Sequence, residues 1–125
     1  MMMLNCTPHA INIVDSAEYN ASVRKHIRTS VTKTVKVIAP SGKLLNAKIV
    51  RNVADPIDGI PTVKSEYPSV DELPEGADFV VVSAMYVAAR RELGLPTEKL
   101  LTVGDTVYDS VENPKPIGVL NLSRN

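Results

Sequence analysis

Cysteine and histidine are the side chains that most readily support covalent or metal chemistry, and the chain holds one cysteine, Cys6, and two histidines, His9 and His26. A thiol beside an imidazole can become a thiolate nucleophile. Cys6, however, lies in an apolar stretch, where a free cysteine usually packs as a small hydrophobe. Its spacing from His9 matches no nucleophile motif, and three such residues lack the paired spacing of a zinc site. We therefore predict no catalytic residue, no metal site and no cofactor.

Gly104, Asp105 and Asp109, in the segment TVGDTVYDS, are a second candidate, because two carboxylates in a cleft can act as acid and base. A Gly-Asp pair between strands is more often a turn or a bulge. The chain also lacks the glycine-rich motifs of nucleotide-hydrolysing and dinucleotide-dependent redox folds. The sequence thus favours binding over catalysis, and we expect the protein not to be an enzyme.

Arginine gives the strongest indication of binding chemistry, because its planar guanidinium suits phosphate and a helix N-terminus adds free N–H groups. The candidates are Arg24, Arg28, Arg51, Arg90 and Arg91, together with the predicted helix start at Ser83. The alternative is that these arginines are solvated surface charges. Arg90 and Arg91 would lie about 100° apart around a helix, so one ligand could use one of them more easily than both.

The charges are balanced in number but not in position. With 14 basic and 14 acidic residues the net charge is zero, which argues against DNA or RNA as a partner. Residues 19–54 contain eight basic residues and no acidic one, whereas residues 55–82 contain seven acidic residues and one lysine. These segments make a dipole if they lie apart, salt bridges if they lie together, or complementary surfaces between the subunits of an oligomer.

Hydrophobic patterns predict the strands that must hold these side chains. The predicted strands are LNCTPHAINIV at the start, 31–38, 47–53, the buried run FVVVS at 79–83, and the late segments KLLTVGDTVYDS and IGVLNLSRN. The Pro-Ser-Gly turn at 40–42 predicts that 31–38 and 47–53 form a hairpin. Residues 55–78 are expected to form a long, ordered surface loop with one short strand at 60–65.

One helix is predicted in SAMYVAARRELGLP, residues 83–96. Ser83 is suited to be its N-cap, and Gly94 supplies its C-terminal stop. Met85, Ala89 and Leu93 share one face of the helix, which is predicted to pack on the sheet.

Together these elements predict an α+β fold in a single domain covering residues 1–125. We expect a mostly antiparallel, Val-rich sheet of about five or six strands with one principal helix packed on it. Apolar residues make up 44% of the chain and charged residues 22%, as in ordinary globular proteins. No apolar run approaches the ~18 residues of a membrane span, and the opening does not resemble a signal peptide. With one cysteine, which fits a reducing compartment, we expect a cytoplasmic protein without membrane contact.

Several short motifs, taken in order, resemble a known group of proteins. They are the N-x-T-P-H opening (NCTPH), the Pro-Ser-Gly turn, the strand-to-helix passage VVVSAMYVAA, and the closing LLTVGDTVYDS and IGVLNL. In this order they are similar to a group of small phage and prophage proteins, and within it to the Thoeris anti-defence proteins of the first type. The resemblance spans nearly the full length of the chain.

The resemblance implies a non-enzymatic sponge in the infected bacterial cell. Such a protein binds the cyclic ADP-ribose isomers made by bacterial TIR-domain enzymes and withholds them from their effector. Members form homo-oligomers, dimers or higher, and some hold cyclic oligonucleotides at a separate site. A sponge needs aromatic platforms for the base and arginines for the pyrophosphate.

Carried onto this chain, the resemblance implies particular site residues. The platforms would be Phe79, Tyr86 and Tyr108, the phosphate donors the five arginines, and Asp105 or Asp109 would accept hydrogen bonds from ribose hydroxyls. Tyr108 stands where the family often carries an arginine, which would change the contact there from charge pairing to stacking. Two alternatives stay open: an enzyme that degrades such a signal, and a structural or protein-binding phage component that uses the acidic segment 55–78.

Overall fold

Two packed sheets, one helix and a projecting hairpin make up the fold, which we describe from a computed structural model that covers residues 1–125. The strands are β1 (Met3–Asn5), β2 (Ile11–Val14), β3 (Glu18–Asn20), β4 (Lys25–Ile27), β5 (Thr34–Ile38), β6 (Ala47–Ile57), β7 (Ile60–Val70), β8 (Phe79–Val81), β9 (Leu100–Val103), β10 (Thr106–Tyr108), β11 (Pro116–Val119) and β12 (Leu122–Arg124). The single helix, α1, spans Ala84–Glu92. With nine residues it is too short to form a transmembrane helix.

The sheets mix parallel and antiparallel neighbours. A four-stranded sheet has the order β1-β8-β9-β12, a six-stranded sheet the order β3-β4-β10-β11-β2-β5, and β6 and β7 form a two-stranded sheet alone. Of the nine strand pairings, five are antiparallel and four are parallel. In the four-stranded sheet β1, β8 and β9 run in the same direction, so their carboxyl ends meet at one edge.

The core has two parts because the four-stranded sheet is covered on both faces. Val80 and Val82 pack toward α1, where they meet Tyr86 in one apolar cluster. Val81 points the opposite way, as alternation along a strand requires, and packs with Ile11 of the six-stranded sheet in a second cluster. The prediction of a buried strand at FVVVS is confirmed, and this strand, β8, lies between β1 and β9 in its sheet.

The broad α+β prediction is confirmed, but the expected single sheet is not. Twelve strands form three sheets of mixed direction instead of one mostly antiparallel sheet of five or six strands. The reason is visible in the first predicted strand, where the turn at 6–10 separates β1 from β2 and sends them to different sheets. Each of the two late segments is divided in the same way. KLLTVGDTVYDS contains β9 and β10, and the IGVLNLSRN region contains β11 and β12.

The predicted hairpin of 31–38 with 47–53 is wrong, as is the long loop at 55–78, but strands do form at 34–38, 47–53 and 60–65. β5 pairs antiparallel with β2, while β6 pairs antiparallel with β7 along a hairpin of eleven residues per strand. Asp58 and Gly59 connect β6 to β7 with positive φ angles of 52° and 76°, the backbone that a two-residue hairpin turn of type I′ requires. We call residues 47–70 the arm.

The helix has the predicted ends but a different buried face. Ser83 caps it, since its Oγ accepts a hydrogen bond from the Tyr86 N–H at 3.2 Å, and Gly94 ends it with a φ of 72°. Met85 and Leu93 are exposed, while Ala89 and Tyr86 are buried. Three of its nine residues are alanines, so the sequence carries no clear apolar stripe that would fix the rotation of the helix.

Candidate functional site

The largest cavity is a cleft of about 610 Å³ at the carboxyl ends of the parallel strands. Val82 and Ser83, which follow β8, line it together with Thr102 at the end of β9, and strands β2 and β11 of the six-stranded sheet form the opposite wall. Carboxyl ends of parallel strands are where ligands bind in open α/β sheets. The position of the cleft therefore marks it as the first candidate for a binding site.

No Asp, Glu, Lys or Arg side chain lines this cleft. Its polar groups are the hydroxyls of Thr7, Ser83, Thr102 and Thr106, the amide of Asn12 and the imidazole of His9, set among aliphatic residues of both sheets. Apolar walls with a few convergent polar groups are typical of sites for small molecules. The lining suits an uncharged group, such as a heterocyclic base or a sugar.

The NCTPH turn builds one wall of the cleft, and Asn5 holds that turn in place. The buried Asn5 side chain donates from Nδ2 to the carbonyl oxygens of His9 at 2.8 Å and Ile38 at 3.0 Å. Its Oδ1 accepts from the backbone N–H and the hydroxyl of Thr7, at 3.0 and 2.6 Å. One amide thus fixes Thr7 and His9 at the mouth of the cleft.

The opposite wall depends on a close approach between β2 and β11. A Cβ atom at Gly118 would lie 2.6 Å from the backbone oxygen of Asn12, a distance that no larger residue could adopt without moving the strand. Asn12 also donates from Nδ2 to the Ile117 carbonyl oxygen at 3.0 Å, and its buried Oδ1 has no hydrogen-bond partner. Gly118 therefore keeps the two strands and the Asn12 amide together.

A second, polar cavity of about 400 Å³ adjoins the cleft, and we call it the depression. Its residues come from the β3–β4 hairpin, from the two residues before β10 and from β10 itself. They are Tyr19, Arg24, Lys25, His26, Gly104, Asp105, Thr106 and Tyr108. Thr106 lines both the cleft and the depression. Parallel pairing of β4 with β10, which sets His26 opposite Val107, brings these distant segments together.

Cationic and aromatic side chains lie close to one another in the depression. The Lys25 Nζ lies 5.5 Å from the centre of the Tyr108 ring, within cation–π range. The rings of Tyr19 and His26 meet edge to face with centres 5.1 Å apart, and the His26 Nε2 lies 4.0 Å from the Asp105 Oδ1. An anion with a planar ring would find a positive charge, a stacking face and a hydrogen-bond acceptor here.

Arg24 stands at the turn of the β3–β4 hairpin with a φ of 55°. This left-handed backbone is uncommon for a residue other than glycine, and Asp58 and Asn113 adopt it at other turns of the chain. The turn places Arg24, an exposed residue, next to Lys25 in the lining of the depression. Two adjacent cationic residues and one acidic residue, Asp105, therefore line the same cavity.

Of the ten residues predicted to bind ligand, three meet in the depression: Arg24, Asp105 and Tyr108. Arg28 lies next to it, since its backbone N–H donates to the Tyr108 carbonyl oxygen at 2.9 Å, but its side chain lines a separate hollow with Tyr19. Arg51 lies on the exposed arm, and Arg91 is exposed in the last turn of α1. These four predicted phosphate donors are thus dispersed over the surface, and the fifth, Arg90, is buried.

Two predicted residues belong to the interior. Tyr86 has no exposed surface, its hydroxyl donates to the Asp71 carbonyl oxygen, and burial raises the pKa of this phenol. Arg90 is 7% exposed, and its Nε donates to the Pro96 carbonyl oxygen at 2.9 Å. Neither side chain can serve as an open platform or phosphate donor in the cleft or the depression, because both are occupied in packing α1.

Phe79 and Asp109 also have partners outside both cavities. The half-buried Phe79 ring lies 5.4 Å from the Arg124 guanidinium. The Asp109 carboxylate accepts from the Lys115 backbone N–H at 2.9 Å, and this bond holds the pKa of the carboxyl below its usual range. Asp109 thus closes the turn between β10 and β11.

Cys6 belongs to the interior as well. It is buried in the cluster beneath α1, with its Sγ 3.7 Å from the Ser41 hydroxyl. His9, the nearest histidine in sequence, is exposed at the cleft. No three His, Cys, Asp or Glu side chains lie close enough together to hold a metal ion.

Sequence reasoning missed Tyr19 and Lys25 in the depression and did not assign Thr7, Asn12 or Thr106 to a site. Two local signals pointed toward the cleft: the Thr-Pro-His turn and the Ser83 helix start. Their convergence depends on the parallel pairing of β1 with β8, segments that lie far apart in the sequence. Only the fold reveals that they share one cavity.

Comparison with protein-family models, with curated proteins and with solved structures found no match for this chain. An uncharged cleft and a cationic depression meet at Thr106. This arrangement suits a ligand that carries both an uncharged ring system and an anionic group.

Proposed function

We propose that the protein is a non-enzymatic sponge that binds cyclic ADP-ribose isomers and withholds them from their effector in the cytoplasm of an infected bacterium. The observation that supports this proposal is the junction of the cleft and the depression at Thr106. Such a ligand combines an uncharged base and two riboses with a pyrophosphate, so it needs both kinds of surface. The resemblance of the sequence motifs to anti-defence sponges points in the same direction.

In the proposed complex the base occupies the cleft and the pyrophosphate lies in the depression. Arg24 and Lys25 donate to the phosphate oxygens, since charge-assisted hydrogen bonds to phosphate are short and strong. Asp105, which is exposed, accepts from a ribose hydroxyl, and Tyr108 offers a ring face. Arg24, Asp105 and Tyr108 keep the roles that the sequence resemblance implied.

The structural roles of three nucleophilic side chains support binding of the ligand without its cleavage. The Thr7 hydroxyl donates to Asn5 Oδ1 at 2.6 Å, and the Ser83 hydroxyl caps α1. Cys6 lies in the core. Each of these groups already has a structural partner, and none is paired with a base that would activate it.

Release of the ligand on heating tests the proposal. An excess of protein is incubated with a cyclic ADP-ribose isomer and filtered, and the free ligand is measured before and after the protein is denatured. We expect depletion at first and recovery of the intact ligand after heating. Recovery of a chemically altered ligand would make the protein an enzyme instead, and a ligand that is never depleted would reject the proposal for that compound.

A matched pair of double variants assigns the ligand to the depression. Arg24→Gln with Lys25→Gln removes two charges from the depression, and we expect it to abolish depletion. Lys43→Gln with Arg91→Gln removes the same charge from exposed positions outside both cavities, and we expect it to deplete ligand like the wild type. The same assay with cyclic oligonucleotides tests the second class of ligand that the resemblance implies.

A further inference from the structure

A third cavity, of about 460 Å³, lies between the base of the arm and the C-terminal end of α1, and we call it the notch. It is lined by residues 69–73 and by Arg90, Leu93 and Leu95. None of these residues lines the cleft or the depression. Sites for small molecules typically have volumes of about 300–1,000 Å³, so the notch is large enough to be a separate binding site.

Arg90 brings a buried charge to the notch. The residue is 7% exposed, and its Nε donates to the Pro96 carbonyl oxygen at 2.9 Å. Burial raises the pKa of the Tyr86 phenol and Arg90 opposes that effect, so the Tyr86 hydroxyl oxygen lies within reach of the guanidinium and can accept one further bond. A guanidinium has five N–H donors. The others of Arg90 have no acceptor in the chain.

The unpaired N–H groups of Arg90 open onto the notch. The one fully buried side-chain polar atom without a hydrogen-bond partner is Asn12 Oδ1, so the unpaired Arg90 nitrogens keep access to solvent. Of the three cavities, Arg90 lines the notch alone. A guanidinium that Pro96 already holds in place is preorganised for a ligand, and its planar fork fits a carboxylate.

Two carboxylates line the same cavity without pairing with Arg90. No salt bridge within 4.0 Å includes Asp71, Glu72 or Arg90. The Asp71 Oδ2 accepts from the Asn46 backbone N–H at 2.8 Å, which leaves its Oδ1 free, and Glu72 is exposed. The notch thus offers donors for an anionic group and acceptors for a cationic group at the same time.

The rest of the lining is mainly aliphatic. Leu93 and Leu95 are each 39% exposed, while Val70 and Leu73 pack against the cluster beneath α1. A ligand that covered the two exposed leucines would remove apolar surface from water, which favours binding. The notch therefore suits a ligand with an aliphatic part as well as two opposite charges.

We propose that the notch binds a free α-amino acid with an aliphatic side chain, such as leucine. Arg90 receives the carboxylate, Asp71 and Glu72 receive the ammonium group, and the leucines of the notch pack on the side chain. Inorganic phosphate fits less well, because the two carboxylates repel it. A simple amine fits less well, because it leaves the Arg90 N–H groups unpaired. A zwitterion satisfies both sets of groups.

Calorimetric titration of the wild type with leucine, without nucleotide, tests this proposal. We expect saturable binding. Three analogues each lack one of the recognised groups: isocaproate lacks the ammonium group, isoamylamine the carboxylate, and glycine the aliphatic side chain. Each should bind about tenfold more weakly or less, and inorganic phosphate should not compete with leucine. The absence of saturable leucine binding, or equal binding of isoamylamine or phosphate, would overturn the proposal.

Variants at exposed positions assign leucine to the notch, because Arg90 also supports the fold. Glu72→Gln and Leu95→Asn should each weaken leucine binding about tenfold. Their matched controls, Glu75→Gln and Leu44→Asn, lie at exposed positions outside the notch and should bind like the wild type. Leucine binding that survives both notch variants would reject this site. No substituted residue lines the cleft or the depression, so failure here leaves the proposed nucleotide binding standing, and the converse also holds.

Discussion

The Nε of Arg90 donates a hydrogen bond to the Pro96 carbonyl oxygen at 2.9 Å, across the C-terminal end of α1. The Arg90 guanidinium also lies 6.0 Å from the centre of the buried Tyr86 ring. Its neighbour Arg91 is exposed. Two adjacent arginines that look alike in sequence thus have separate tasks, because they point about 100° apart around the helix.

Replacing Arg90 should therefore destabilise the fold, whereas replacing Arg91 should not. Arg90→Met keeps much of the apolar stem but leaves the Pro96 carbonyl without its donor, so we expect a loss of about 1–3 kcal/mol in the free energy of unfolding. Arg91→Met should change it by less than about 0.5 kcal/mol. Urea denaturation of both variants measures the difference, and equal effects would contradict the structural role of Arg90.

Asn5 should be among the most sensitive positions of the chain. Asn5→Leu preserves the approximate size of the side chain but removes hydrogen bonds to Thr7, His9 and Ile38, so we expect a loss of about 2 kcal/mol or more in the free energy of unfolding. Asn46→Leu, at an exposed position whose side chain makes no hydrogen bond, is the control. If the loss in unfolding free energy is no larger than that of the control, the NCTPH turn does not depend on the Asn5 side chain.

The parts of the fold that the sequence predicts are those with local causes. FVVVS is a strand because it is a continuous apolar run, and Ser83 caps α1 because its hydroxyl reaches a backbone N–H three residues along the chain. The sequence predicts strands at 47–53 and 60–65 but not their pairing with each other, although Asp58-Gly59 is a strong hairpin signal. Pro56, Pro61 and the acidic residues around them favour a loop there, and the Pro-Ser-Gly turn suggests a different partner for 47–53.

The sequence predicted which types of residue line the candidate site, but not which of these residues lie together in the fold. Arg24 and Tyr108 belong to one cavity because β4 pairs with β10, a contact between segments far apart in the chain. Tyr86 seemed suited to stack on a base, yet it is buried while Met85 beside it is exposed. The rotation of α1, which decides between these two neighbours, follows from packing and not from the helix sequence.

The depression should bind its ligand with a strength that depends on salt. Arg24→Gln removes a charge-assisted bond to phosphate, and we expect about a tenfold weaker affinity, or about 1.4 kcal/mol. The affinity of the wild type should fall as ionic strength rises, and that of the variant should fall less steeply. Calorimetric titration at two salt concentrations measures both effects, with Arg91→Gln as the variant that should match the wild type.

Asp109 should make the stability of the protein depend on pH below the neutral range. The Lys115 N–H holds the pKa of Asp109 below its value in the unfolded chain, so the folded state favours the carboxylate. Its stabilising effect is complete above the unfolded pKa of about 3.9 and is lost as the pH falls through the lower folded pKa.

Asp109→Ala tests this dependence. The difference in unfolding free energy between wild type and variant should be largest at neutral pH and should shrink as the solution becomes more acidic than about pH 4. Asp15→Ala should behave in the same way, because the Lys33 N–H bonds to Asp15 Oδ1 at 2.8 Å and lowers the pKa of that carboxyl. If the difference does not vary with pH, ionisation of the replaced carboxyl group does not stabilise the fold.

Filling the cleft should block the ligand without unfolding the protein. Ala10 is exposed, lies outside every strand and helix, and lines the cleft, so Ala10→Leu adds its larger side chain to the space proposed for the base. We expect the affinity for a cyclic ADP-ribose isomer to fall about tenfold or more, while the free energy of unfolding changes by less than about 0.5 kcal/mol.

Ala88→Leu makes the same substitution on the exposed face of α1, away from both cavities, and should leave binding unchanged. Calorimetric titration and urea denaturation of the two variants separate the outcomes. If Ala10→Leu binds like the wild type while Arg24→Gln does not, the ligand uses the depression alone and the base lies outside the cleft. If both weaken binding and Ala88→Leu does not, one ligand spans the two cavities across Thr106.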